Sequence, residues 1–202
     1  MNKGGFTLIE IMVSVTIFSI VMVVSMGALL SISAADKKAE TLKTVMNNLN
    51  FAIESMSRTI RTGTLYDCGR GANTDCTDGA QEVGFHPVDA ASPGARTKYK
   101  FETTAAPCGQ SALATAGCIM RDTGDGSGYL SITAPEVVIT SLKFYLVGSS
   151  PADTLQARIT IALSGFVKIS GNPASMADCL ATPAQCSVFN IQTSVTQRLY
   201  DQ

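Results

Sequence analysis

The stretch from Phe6 to Ile60, FTLIEIMVSVTIFSIVMVVSMGALLSISAADKKAETLKTVMNNLNFAIESMSRTI, decides the fold. It reads as one long helix, apolar at its start and amphipathic at its end. Between Phe6 and Ala35 the single charged residue is Glu10. The run Ile11 to Ile32 is long enough to cross a bilayer, which takes roughly 20 apolar residues. An ionised carboxylate in hydrocarbon costs about 2.5 to 3.5 kcal/mol and normally has a partner. No Lys or Arg follows Glu10 before Lys37, so a counter-ion has to come from elsewhere. Further on, Leu42, Met46, Leu49, Ile53, Met56 and Ile60 recur at spacings of 4, 3, 4, 3 and 4, an apolar stripe at helical period. That half is expected to lie on the rest of the chain. Arg58 and Arg61 suit the negative end of the helix dipole, and Gly63 is a suitable stop. At 1.5 Å per residue the helix would be about 80 Å long. Gly27 is the interior residue expected to weaken it, and small-residue helix packing is the alternative reason for it.

The residues before the run bear on the missing cation. MNKGG is a short basic leader, and Gly5-Phe6-Thr7-Leu8-Ile9-Glu10 follows in the order G, F, T, L, I, E. At these residues the sequence resembles the type IV pilin family, whose class III leader is cut after a glycine by an inner-membrane prepilin peptidase. The resemblance implies cleavage between Gly5 and Phe6 and N-methylation of the new Phe6 amine. It also implies that Glu10 pairs with the Phe6 amine of a neighbouring subunit and sets the register of a filament. An α-amino group is largely cationic near neutrality, so amine and carboxylate are natural counter-ions in lipid. The alternative is a Glu10 that snorkels to the headgroup boundary. A secretory signal peptide is a second competing reading, with Lys3 as its basic end and Ser33-Ala34-Ala35 as its cleavage site. Signal h-regions span only about 7 to 15 residues, which this run exceeds.

Behind the helix about 140 residues remain, the size of one domain. The chain of 202 residues is 46% apolar with a formal charge of -1, and nothing in that balance points to a nucleic-acid partner. Its six cysteines fall into local couples, Cys68 with Cys76, Cys108 with Cys118, and Cys179 with Cys186. All lie beyond the apolar run, which suggests disulfides in an oxidising compartment. Six cysteines allow 15 connectivities, of which the three local pairs are preferred. Structural zinc fits poorly, because no couple has short C-x2-4-C spacing and His86 stands alone. Lys3 and the pair Lys37-Lys38 flank opposite ends of the span, so charge barely decides orientation. Leader and cysteines place the N-terminus inside, the span in a bacterial inner membrane, and the domain outside the cytoplasm, later in a periplasmic or surface filament.

After Gly63 the texture changes to strands and loops. Glu82–Phe85, Thr97–Glu102, Ile119–Arg121 and Tyr129–Thr133 are short strand candidates. Val137–Val147, Ala157–Val167 and Ser187–Arg198 are longer, with apolar and polar residues alternating in the last two. The expected fold is α+β, with a long N-terminal helix, transmembrane in one half and amphipathic in the other, packed on an antiparallel sheet. The expected divisions are a leader at 1–5, a membrane and assembly segment at 6–35, an amphipathic segment at 36–63 and a disulfide-containing β-rich domain at 64–202.

Asp122 and Asp125, in a stretch rich in glycine, are weak candidates for calcium, and hairpin-turn roles are the preferred reading. Arg96, Lys98 and Lys100 around Tyr99 form a basic strand that could touch DNA, although nucleic-acid sites usually gather more charge. The sequence holds no G-x-S-x-G and no phosphate-binding glycine loop. No catalytic residue, cofactor or small-molecule substrate is therefore expected, and the chain is not expected to be an enzyme. The resemblance implies a structural subunit of a type IV pilus, type II secretion or competence filament, with other pilin or pseudopilin subunits as partners. The size of the domain, its cysteine couples and the ending FNIQTSVTQRLYDQ favour a minor pilin or a J/W-like pseudopilin. A membrane-anchored adhesin or DNA receptor is the alternative class, and an anchored extracytoplasmic enzyme the third.

Overall fold

The computed structural model describes residues 7–70, 74–88, 94–110, 117–150, 155–169, 175–182 and 185–198. Helix α1 spans Leu8–Arg61, and the chain divides into two compact units at Thr41 and Leu42. In the first unit every side chain from Leu8 to Ile32 is exposed. The helix is continuous through Gly27, where an added Cβ would meet nothing within 4 Å.

The second unit is α+β. Its nine strands are β1 (Thr64–Asp67), β2 (Cys76–Ala80), β3 (Glu82–His86), β4 (Thr97–Glu102), β5 (Cys118–Asp122), β6 (Leu130–Ser131), β7 (Val137–Val147), β8 (Arg158–Lys168) and β9 (Cys186–Thr196), with a short helix α2 (Met176–Ala181) before the last. They form two antiparallel sheets, ordered β1-β3-β4-β5-β6 and β2-β7-β8-β9. One sheet was expected from the strand pattern and two are present. Both feed one core: Val83, Phe85, Tyr99 and Ile119 from the first sheet join Ile139, Phe144, Ile161 and Leu163 from the second. The Ile139 amide donates to the Gly117 carbonyl at 2.9 Å, which ties β7 to the start of β5.

The amphipathic half of α1 packs on this core through Val45, Leu49, Ala52, Met56 and Ile60. The expected stripe is turned slightly: Val45 and Ala52 are buried where Leu42 and Met46 were expected, and Met46 is 36% exposed. Reading the largest apolar residues shifted the stripe, because a small Ala at the centre of the contact lets the helix approach closely. Each fully buried Leu, Ile or Met side chain contributes about 1.5 to 3 kcal/mol, so this row anchors the helix.

The end of α1 is built into the domain. The Tyr66 hydroxyl, buried, donates to the Ile60 carbonyl at 2.6 Å and lies 2.7 Å from the Gly63 carbonyl. The amides of Gly63 and Arg198 reach the carbonyls of Ile60 and Arg61 at 3.0 and 2.8 Å. The last carbonyls of a helix have no partner within it. Here a strand residue, a turn and the segment after β9 satisfy them.

Candidate functional site

The segment that carries the expected chemistry begins at the first described residue. The Thr7 carbonyl accepts from the amides of Glu10 and Ile11 at 3.1 and 3.3 Å and closes the first turn of α1. The hydroxyls of Ser14, Thr16 and Ser19 fold back onto the carbonyls of Glu10, Val13 and Val15 at 2.7 to 2.8 Å. These three hydroxyls therefore satisfy their hydrogen bonds within the helix. Glu10 is different: its carboxylate is exposed and takes no ion pair among the described residues. Around it Leu8, Ile9, Ile11 and Met12 are each more than half exposed. Gly5 and Phe6, the expected cleavage and methylation positions, lie outside the described residues.

Helix α1 is long and apolar enough to cross a membrane, and Glu10 is its third residue. Residues 1–26 match the prokaryotic N-terminal methylation motif. This match supports a type IV pilin-like protein. The match speaks for the leader and the start of α1. No curated protein and no solved structure matches the chain. A pilin leader implies processing by prepilin peptidase and assembly with other pilin subunits, and points to a structural subunit rather than an enzyme.

In the second unit, disulfides join Cys68 to Cys76, Cys108 to Cys118 and Cys179 to Cys186. All six sulfur-bearing side chains are buried. Cys179 and Cys186 pack with Val138 and Phe166 and hold α2 to the outer side of the β7–β8 pair. Cys108 and Cys118 pack with Met120 beneath Tyr129.

The basic strand is neutralised by its neighbours. Arg96 pairs with Asp67 and donates to the Leu65 carbonyl at 2.9 Å, Lys98 lies 3.5 Å from Glu82, and Lys100 lies 2.9 Å from Glu102. Tyr99 is fully buried on the opposite face, and burial pushes its phenol up. Each of the three cations thus has an acidic neighbour, and the Lys100 ammonium also lies 4.3 Å from the centre of the Tyr129 ring. Asp122 accepts from the Gly124 amide at 2.8 Å, and Asp125 from the Ser127 amide and hydroxyl at 2.8 and 2.5 Å. Both aspartates thus shape their own turn. Among the described residues no three His, Cys, Asp or Glu side chains gather where a metal could bind.

Two polar residues not singled out by sequence hold this domain together. The Gln110 amide donates to the carbonyls of Val137 at 2.8 Å and Gly117 at 3.2 Å and accepts from the Gly117 amide at 3.0 Å. Asp75 accepts from the amides of Gly148 and Ser149 and from the Ser149 hydroxyl at 2.8 to 3.1 Å. Burial opposes ionisation of Asp75, but these donors outweigh it and hold the carboxyl below its ordinary value. Their partners lie up to 74 residues away, beyond the reach of any local pattern.

Glu102 gives the domain a pH signature. The Lys100 ammonium first, then the Thr104 hydroxyl and amide, bring its carboxyl from 4.5 down to about 2. A depressed carboxyl stabilises the fold above its unfolded value, and that contribution is lost as pH falls through the folded one. Glu102→Gln is expected to lower stability by about 1 to 2 kcal/mol at pH 6, allowing for solvent screening. The difference should shrink between pH 4.5 and 2. Urea unfolding of both chains across that range measures it, and a difference that does not change with pH contradicts the assignment.

Proposed function

We propose that this chain is a minor pilin or pseudopilin of a type IV filament system: a pilus, a type II secretion apparatus or a competence filament. The observation that carries the reading is the junction of the methylation motif with a helix whose side chains from Leu8 to Ile32 are all exposed. An apolar surface of that length is stable only in lipid or against other apolar helices. A filament subunit meets both environments, the first before assembly and the second after it. In this reading residues 1–5 are removed, Phe6 becomes the methylated N-terminus, residues 6–35 anchor and assemble, residues 36–63 dock the helix, and residues 64–202 face outward. The span sits in the inner membrane with the domain on the far side from the cytoplasm, where an oxidising medium keeps the three disulfides closed.

Glu10 is the assembly residue. Its carboxylate has no cation in its own run, and cleavage before Phe6 supplies an amine on each neighbouring subunit. Mass spectrometry of the protein recovered from membranes tests the first step. The expected N-terminus is Phe6 carrying one added methyl group. An intact Met1, or a start near Asp36, contradicts the reading.

A further inference from the structure

Among the described residues the two sheets present four edge strands, and three of them are blunted. β1 is four residues long, with a register shift and Leu65 at a φ of 52°. β6 has two residues. β2 has five, with a register shift, and carries Asp78 bound to Arg70 at 2.8 Å. Short length, bulges and charges are the usual means of preventing a sheet edge from pairing with another chain. β9 has none of them. It is 11 residues long, CSVFNIQTSVT, without charge, proline or glycine, and it pairs with β8 from Arg158 opposite Thr196 to Lys168 opposite Cys186 without a shift.

The ladder shows which groups are free. The Gln197 amide donates to Ala157 and the Ile169 amide to Gln185, at 2.9 and 2.8 Å. In an antiparallel pair hydrogen-bonded and non-bonded positions alternate, so the odd-numbered residues between 185 and 197 turn their backbone groups toward β8. Those of Val188, Asn190, Gln192 and Ser194 point the other way, and among the described residues β9 is the last strand of its sheet. The side chains agree. Phe189 and Val195 are buried on the core side, whereas Ile191 and Thr193 between them are only half-buried.

We propose that β9 is a docking edge, to which an extended segment of a different subunit of the same filament adds as a further strand. The proposal rests on the reading of the chain as a filament subunit. Backbone groups in a row at strand spacing recognise an extended peptide, and the uncharged edge selects one that is uncharged where it pairs. The added strand would place apolar side chains beside Ile191 and Thr193 and small polar ones beside Asn190 and Gln192. A second copy of β9 does not fit. Antiparallel self-pairing relates the copies by a two-fold axis and closes a dimer, whereas a filament grows through heterologous contacts. Parallel self-pairing places the axis along the strands and sets the apolar face of one copy beside the polar face of the other.

Hydrogen exchange tests the edge, comparing the full-length protein in detergent with the same protein in filaments sheared from producing cells. The amides of Asn190, Gln192 and Ser194 are expected to exchange at least tenfold more slowly in the filaments. Equal rates overturn the proposal. So does protection already present in detergent that rises with protein concentration, which would indicate self-pairing. Gln192→Pro removes one outward amide, and Gln192→Lys keeps every amide but adds a charge. Each is expected to lower recovery in filaments at least fivefold with N-terminal processing unchanged, and undiminished recovery of both overturns the edge. Glu10→Ala in parallel separates the two levels. Loss with Glu10→Ala but not with the β9 variants removes the edge alone, whereas normal recovery of Glu10→Ala removes the subunit reading.

Discussion

Glu10→Ala is expected to leave the chain in the membrane and to cut its incorporation into filaments at least tenfold. The direction of the effect is informative because insertion alone predicts the opposite. A carboxylate in hydrocarbon costs about 2.5 to 3.5 kcal/mol, so its removal favours the membrane-inserted chain. If Glu10 were merely tolerated, the alanine variant would be inserted and recovered at least as well as the parent. If the carboxylate instead meets the Phe6 amine of a neighbour, its loss strands that ammonium in lipid, and a tenfold loss needs only about 1.4 kcal/mol of that penalty. Glu10→Gln keeps the shape and hydrogen-bonding reach of the side chain without its charge. It should fail as Glu10→Ala does, while Glu10→Asp should recover part of the incorporation. Immunoblots of membrane and filament fractions from the same cells read both quantities. Gln working as well as Glu would show that shape rather than charge is recognised.

What was legible in the sequence is what depends on near neighbours. The long helix follows from a run of apolar residues succeeded by a 3.6-residue period, and Glu10 stands out because charge is absent around it. Val137–Val147 has the bounds its sequence pattern predicts, since a strand in a core shows an apolar surplus along its whole length. β1 and β2 carry no such signal. TLYD and CTDGA carry turn residues, and they are strands only because β3 and β7 lie alongside. The division into two sheets was hidden for the same reason, as it depends on which strands meet rather than on what each contains. Gln110 and Asp75 are polar residues in loop-like surroundings. Their importance appears once the backbone of Val137 and of Ser149 is brought to them.

Gly165→Ala is expected to lower the thermal midpoint by about 6 to 12 °C. Gly165 sits in β8 opposite Ile139 and Phe189. A Cβ there would lie 2.2 Å from the Val138 carbonyl oxygen and 2.8 Å from the Phe189 ring. On the other side of the same segment, a Cβ on Gly117 would lie 1.8 Å from the Ile139 carbonyl oxygen. The two glycines thus flank Val138–Ile139 of β7, next to the register shift between Ile139 and Ser141. The obstacle in each case is backbone, which cannot rotate away as a side-chain tip can. Overpacking usually costs about 1 to 3 kcal/mol, and the upper end applies where β7 itself must move. For a chain of this size each kcal/mol shifts the midpoint by about 2 to 4 °C. Gly117→Ala should cost as much or more, because it also drives apart the Ile139–Gly117 hydrogen bond and displaces the groups that Gln110 holds. Combining it with Gln110→Ala should therefore cost less than the sum of the two, as expected for residues in one network. Gly27→Ala is the control: no atom lies within 4 Å of its Cβ, and alanine favours a helix over glycine by about 1 kcal/mol, so the midpoint should not fall. Circular dichroism of the full chain in detergent, without reductant, distinguishes these outcomes. A Gly165→Ala midpoint matching that of Gly27→Ala would mean that β7 and β8 can separate locally, and that the close approach at Val138 is not a requirement of the fold.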